Sequence, residues 1–191
     1  MIRFLPNELF TRKDLVKNSD SVAFGCSHTW GVGVENNETW SYILGARNFG
    51  QSGCSVDFIS RHAPTVVKEL EPKVVYVLWP DWSRFEITKN DTIYQSLPTD
   101  SDRIYYMKTH NDVWCRENFK NKTSEFRLMC HNRNIRLVDI TLYNLIPYID
   151  RADRWPKSKL GHHYAPEWHQ WVVNIFKELQ LNNTTVELAY E

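Results

Sequence analysis

A serine set in a glycine-flanked turn and a histidine just ahead of a terminal helix are the side chains here that suit nucleophilic chemistry. Ser27 lies in Gly25-Cys26-Ser27-His28-Thr29-Trp30-Gly31, directly after the apolar run SVAFG at 21–25. Glycines permit a tight turn, so a hydroxyl and a backbone N–H can be presented together at the end of a strand. The segment Leu160-Gly161-His162-His163-Tyr164-Ala165-Pro166-Glu167-Trp168-His169 supplies imidazoles, which exchange protons near neutral pH. A histidine near a helix start is more often a cap or packing residue, and the company of Ser27 singles these out. Trp79-Pro80-Asp81-Trp82-Ser83-Arg84 adds a carboxylate, which accepts hydrogen bonds and would repel a developing oxyanion, and a guanidinium that could supply positive charge. Surface pairing of Asp81 with Arg84 is the plainer reading. A metal site from His28, His162, His163 and His169 ranks well below, because adjacent histidines do not both face one ion easily and no carboxylate sits at ligand spacing. A Cys26 nucleophile is a minor alternative, since position 26 points away from the site if Ser27 points into it.

The elements that must position these residues alternate between strand and helix. SVAFG reads as a buried central strand, 38–47 as a helix, and 46–49 as a short strand leading into a turn that ends at Gly53. Residues 55–70 have helical spacing with Pro64 expected to kink or break them. KVVYVLW at 73–79 is a near-continuous β-branched and aromatic run, the mark of a strand covered on both faces. Residues 116–132 read as an amphipathic helix, 135–139 as the next buried strand, and 166–181 as a terminal helix with Pro near its first turn. This order predicts a parallel sheet with helices on both faces and a ligand at the carboxyl ends of the strands. Residues 86–115 are polar and rich in turn formers, and are read as an insertion or lid.

Length and composition bound the rest. The chain has 191 residues, the size of one ordinary domain, and 1–191 is read as such. Lys and Arg number 23 and Asp and Glu 23, so no net field favours nucleic acid or an anionic membrane, and neither is expected as a partner. Aromatic residues are abundant, with 8 Trp, 9 Tyr and 9 Phe, which serve core and rim packing more often than a stacking surface. Four cysteines without a C-x-x-C pair indicate a reduced compartment and no structural zinc. No stretch reaches the roughly 18 apolar residues of a membrane helix, nor does the start carry an apolar leader. A cytoplasmic protein is expected.

In its motifs the sequence resembles the SGNH, or GDSL-like, hydrolase family. Gly25, Ser27 and Thr29 match the block that carries the family's nucleophile, with Cys26 where the Asp usually stands. Asn48-Phe49-Gly50-Gln51-Ser52-Gly53 is similar to the second block, whose glycine donates an N–H to the oxyanion, and Gly53 is the better match. Asp81 stands nearest to the Asn of the third block, which is absent. His163 and His169 reproduce the spacing of the last block, with Leu160 where its orienting Asp belongs. GCSHTWGVG is also similar to compact SGNH-like proteins of bacteriophages and bacteria.

The resemblance covers roughly residues 20–180. It implies a three-layer α/β/α sandwich with a central parallel sheet, flavodoxin-like in arrangement. It also implies a serine esterase or deacylase that needs no cofactor and acts on a small acyl ester or acetylated carbohydrate. Ser27 would be the nucleophile, His163 the general base, and the N–H groups of Ser27 and Gly53 the oxyanion hole. His28, Trp30, Trp79 and Trp82 would form the substrate rim, Asp150 or Asp153 would replace the orienting carboxylate, and Asp81 and Arg84 would be auxiliary. The departures at Cys26, at the third-block Asn and at Leu160 keep an alternative open, a catalytically degenerate binding or structural module on the same fold.

Overall fold

The structure, a computed structural model, describes residues 2–4, 19–89, 92–95, 112–142 and 163–181. In chain order its elements are β1 (Ile2–Phe4), β2 (Ser21–Gly25), α1 (Ser27–Trp30), a 3-10 turn (Asn36–Glu38), α2 (Trp40–Ile43), β3 (Arg47–Gly50), α3 (Val56–Leu70), β4 (Val74–Trp79), β5 (Glu86–Lys89) and β6 (Thr92–Gln95). They are followed by α4 (Asp112–Asn132), β7 (Arg136–Thr141) and α5 (Pro166–Leu181).

The two longest apolar runs become the centre of a four-stranded sheet ordered β3-β2-β4-β7, in which every pairing is parallel. The register sets Gly25 opposite Gly50 on one side and Leu78 on the other, so the carboxyl ends of β2, β3 and β4 form one edge. Successive side chains on a strand face opposite sides, and this sheet has a core on each. Val22, Phe24, Val75, Val77 and Trp79 pack with Phe58, Ile59, Ala63 and Val67 of α3 and Phe119, Phe126 and Cys130 of α4. Ala23, Tyr76, Leu78 and Val138 pack with Trp40 of α2 and Trp168, Val172, Val173 and Phe176 of α5. The result is the three-layer α/β/α sandwich read from the sequence.

Two expectations are corrected. The single helix expected over 38–47 is a 3-10 turn followed by the four-residue α2, whose N–H at Tyr42 is capped by the Thr39 hydroxyl. Pro64 neither breaks nor ends α3, which runs unbroken from Val56 to Leu70. A mid-helix proline costs ~3 kcal/mol or more, but Ala63, Val66 and Val67 are buried beside and beyond it, and that burial holds the last turns in place. The polar segment after 86 carries structure of its own. β5 and β6 form an antiparallel hairpin, and β6 pairs with β1, giving a second sheet ordered β1-β6-β5.

Candidate active site

β2 delivers the backbone to Gly25, and the chain turns at once into α1. Cys26 takes the N-cap position, and its carbonyl accepts the N–H groups of Thr29 at 3.0 Å and Trp30 at 2.9 Å. Ser27 is the first residue of the helix, where a backbone N–H has no intrahelical acceptor. It retains 6% exposure at the sheet edge, while Cys26 is fully buried in the core between the sheet and α3.

The turn can sit this close to the sheet only because two strand-ending residues lack a side chain. A Cβ on Gly50 would lie 2.4 Å from the Trp30 nitrogen, and one on Gly25 would lie 2.0 Å from the Thr29 hydroxyl. Asn48 fixes the arrangement, donating from Nδ2 to the Thr29 carbonyl at 2.7 Å and accepting the Gly50 N–H on Oδ1 at 2.8 Å. β3 is thus clamped to the end of α1. From Gly50 the chain turns back over β2, with the Gln51 N–H on the Gly25 carbonyl at 2.9 Å and the Cys54 thiol on the same oxygen at 3.3 Å. Gly53 lies within this turn, buried, with φ of 78°. Burial pushes the Cys54 thiol well above its ordinary pKa, with neighbouring Cys26 adding to the rise and the positive charge of Arg84 opposing it.

His163 reaches the site from the other side, just ahead of α5. Its ring centroid is 5.2 Å from that of His28, the residue after Ser27, and its Nδ1 is shielded from solvent. His28 also stacks on Tyr164 at 5.4 Å and lies 5.1 Å from Trp168, whose ring stacks on Tyr164. This group of rings docks the start of α5 onto α1, and burial raises the Tyr164 phenol above its usual pKa.

Other residues singled out in the sequence have structural partners. His169 is buried, and its Nδ1 accepts the Trp40 N–H at the start of α2 at 3.3 Å. It therefore pins α5 to α2. Trp79, expected at the rim, is fully buried, with its indole N–H on Asp139 at 2.7 Å and its ring against Phe119 and Phe126. Asp81 and Arg84 do not pair through their side chains. Oδ1 of Asp81 accepts the Ser83 N–H at 2.8 Å and its carbonyl accepts the Arg84 N–H at 3.0 Å, closing the turn after β4. Trp30 and Trp82 are half-buried, and the Arg116 guanidinium lies 4.3 Å from the Trp82 ring centre. Asp150, Asp153, Leu160 and His162 lie outside the described residues.

Sequence reasoning missed Asn48, Asp139 and the role of His169. Two of them left a signal: Asp139 is a carboxylate inside the apolar run RLVDIT, and His169 shares helical spacing with buried Val172, Val173 and Phe176. Among the described residues no group of three or more His, Cys, Asp or Glu is placed to hold a metal ion. All four cysteines are free and buried. No helix among the described residues is long and apolar enough to cross a membrane.

The serine turn after β2, the glycine turn after β3, the polar turn after β4 and the histidine ahead of the last helix follow in the order that the family's motifs do. The fold is the parallel α/β/α sandwich that the resemblance implies. No protein-family model and no curated protein matches the chain. Among solved structures it is similar to a protein assigned to the G-D-S-L lipolytic family from Desulfitobacterium hafniense DCB-2, at 15% identity and TM-score 0.46 over 85% of this chain and 99% of that one. It is similar to an alpha/beta hydrolase enzyme from the metagenome of Lake Arreo, Spain, at 17% identity and TM-score 0.44 over 85% of this chain and 94% of that one. A two-domain esterase active on acetylated mannans matches at 15% identity and TM-score 0.42, over 90% of this chain and 50% of that one, so the chain spans about half its length.

Proposed function

We propose that the protein is a serine esterase or deacylase that acts on a small acyl ester or an acetylated carbohydrate through Ser27 and His163. The observation that carries this reading is the meeting of the Ser27 turn, at the carboxyl end of a central strand, with the His163 ring, which packs on the residue next to that serine. In the proposed reaction His163 takes the Ser27 proton as Oγ attacks the acyl carbonyl. The N–H groups of Ser27 and Gly53 stabilise the charge that develops on the carbonyl oxygen. His163 then returns the proton to the leaving alcohol or amine, and water, activated by the same ring, releases the acid and restores Ser27. His28 and the half-buried Trp30 and Trp82 would line the approach. Asp150 or Asp153 would orient the ring in place of Leu160.

Ser27→Ala is expected to abolish turnover of p-nitrophenyl acetate, and His163→Ala to lower kcat by roughly 10³-fold or more, as for other serine–histidine pairs. Leu160→Asp should raise kcat by restoring an acceptor for the ring. A wild-type protein that turns over no short acyl ester would defeat the reading.

A second reading is a degenerate module that binds without turnover. It is favoured by the Asp81 carboxylate, which stands where the family places an amide donor and accepts the Ser83 N–H instead. Binding of an acetylated sugar that persists without any release of acetate would mark it.

A further inference from the structure

The turn after β4 holds a cation that the proposed reaction does not use. Nε and Nη1 of Arg84 are buried and make no hydrogen bond, and no ion pair to this side chain occurs among the described residues. A guanidinium cannot shed its proton at any ordinary pH. Arg84 is half-buried, and burying those two nitrogens without an acceptor is a lasting destabilisation. The carboxylates nearest to it in the chain and its surroundings are committed elsewhere. Asp81 accepts the Ser83 N–H, Glu86 is held by Arg61, and Asp57 accepts the Glu86 N–H at 3.1 Å and the Asn118 amide at 3.0 Å.

The position points at the site. Asp57 belongs to the first turn of α3, so its bond to Glu86 brings the segment beyond Arg84 against the start of that helix. The helix is entered through Gly53 and Cys54, and the charge of Arg84 is felt at the Cys54 thiol. The partial positive charge at the start of a fifteen-residue helix disfavours a second cation there and favours an anion. The same turn carries another buried donor with no acceptor, the Trp82 indole N–H. Arg116 adds positive charge over the face of that indole.

We propose that Arg84 binds an oxyanionic group, a carboxylate or phosphate, carried by the substrate beside its scissile acyl bond. The inference takes the esterase reading as its basis for calling the ligand a substrate. It narrows the substrate class from neutral acetyl esters to esters with an anionic arm, and gives Nε and Nη1 of Arg84 the acceptor that the described residues do not supply. The planar fork of Arg matches two oxygens of either group.

The test uses the full chain as wild type, Ser27→Ala, Arg84→Met and Arg84→Lys, titrated with succinate and with inorganic phosphate against sodium chloride at matched ionic strength. Succinate or phosphate should raise the melting temperature of wild type and of Ser27→Ala above the chloride control, and the stronger of the two identifies the anion. Calorimetric affinity should fall about tenfold or more in Arg84→Met, the loss of a charge-assisted hydrogen bond. Arg84→Lys should fall between, and serves if the Met variant does not fold. On substrates, wild type should prefer mono-p-nitrophenyl succinate to p-nitrophenyl acetate, with the preference lost in Arg84→Met. Failure of both anions to bind, or binding of equal strength in the Arg84 variants, would overturn the proposal. If succinate binds through Arg84 while no ester is turned over, the esterase reading fails and the anion site stands.

Discussion

His62 shows how much one buried side chain can report. It is 7% exposed on the inner face of α3, its ring 4.5 Å from that of Phe58, and its Nε2 accepts from Arg61 at 3.2 Å. Burial, with the Arg61 charge adding to it, holds its pKa below the usual histidine value of 6.5. As pH falls through that value the unfolded chain takes up a proton that the folded one declines, so stability is lost on the acid side and is unaffected above it. His62→Leu should therefore narrow the drop in melting temperature between about pH 7.5 and pH 5.5, and an unchanged drop would show that the ring is not held neutral. Residues of this kind were hard to read in the sequence. The turn at Ser27 was legible because glycines flank it directly after an apolar run, which marks the end of a buried strand. The indole of Trp79 was misread as rim because its partner, Asp139, is sixty positions away and only the folded sheet brings them together.

At the scale of elements, Asp139 ties three of them. Its Oδ2 accepts from Trp79 on β4 and from Nε of Arg127 on α4 at 3.0 Å, and pairs with Nη2 of Arg127 at 2.9 Å, while the carboxylate itself sits on β7. Its side chain is 1% exposed and that of Arg127 28%. Removing one partner of a buried ion pair costs about 3–5 kcal/mol, and the partial exposure of Arg127 sets the expected loss for Arg127→Met at the low end of that range. Urea denaturation checks this. Arg127→Met combined with Asp139→Leu should recover part of the loss, because no uncompensated charge then remains. The strands themselves could be read as runs, since SVAFG and VVYVLW are apolar on both faces. The pairing of β1 with β6 could not, because it joins residues 2–4 to 92–95 and neither segment carries a pattern that names the other. The length of α2 was also illegible: Tyr42 and Ile43 keep helical spacing, yet Leu44 and Gly45 end the helix so that β3 can start at Arg47.

For the whole molecule, two helix layers fold over a parallel sheet, with the Ser27 turn at its carboxyl edge and His163 packed on His28 beside it. The rings of His28, Tyr164 and Trp168 join α1 to α5 across that edge, and Asn48 locks β3 beneath it. Fold class and the serine turn were legible because both rest on local patterns. A group to orient His163 was not, because Leu160 departs from the motif and cannot accept a hydrogen bond. The central claim is that Ser27 is an activated nucleophile. A fluorophosphonate probe followed by intact-mass analysis and peptide mapping tests it without knowledge of the substrate. The account predicts a single adduct on Ser27 of the folded protein, absent from Ser27→Ala and formed far more slowly in His163→Ala. Wild-type protein that stays unlabelled, or is labelled at another serine with equal rate in both variants, would contradict it.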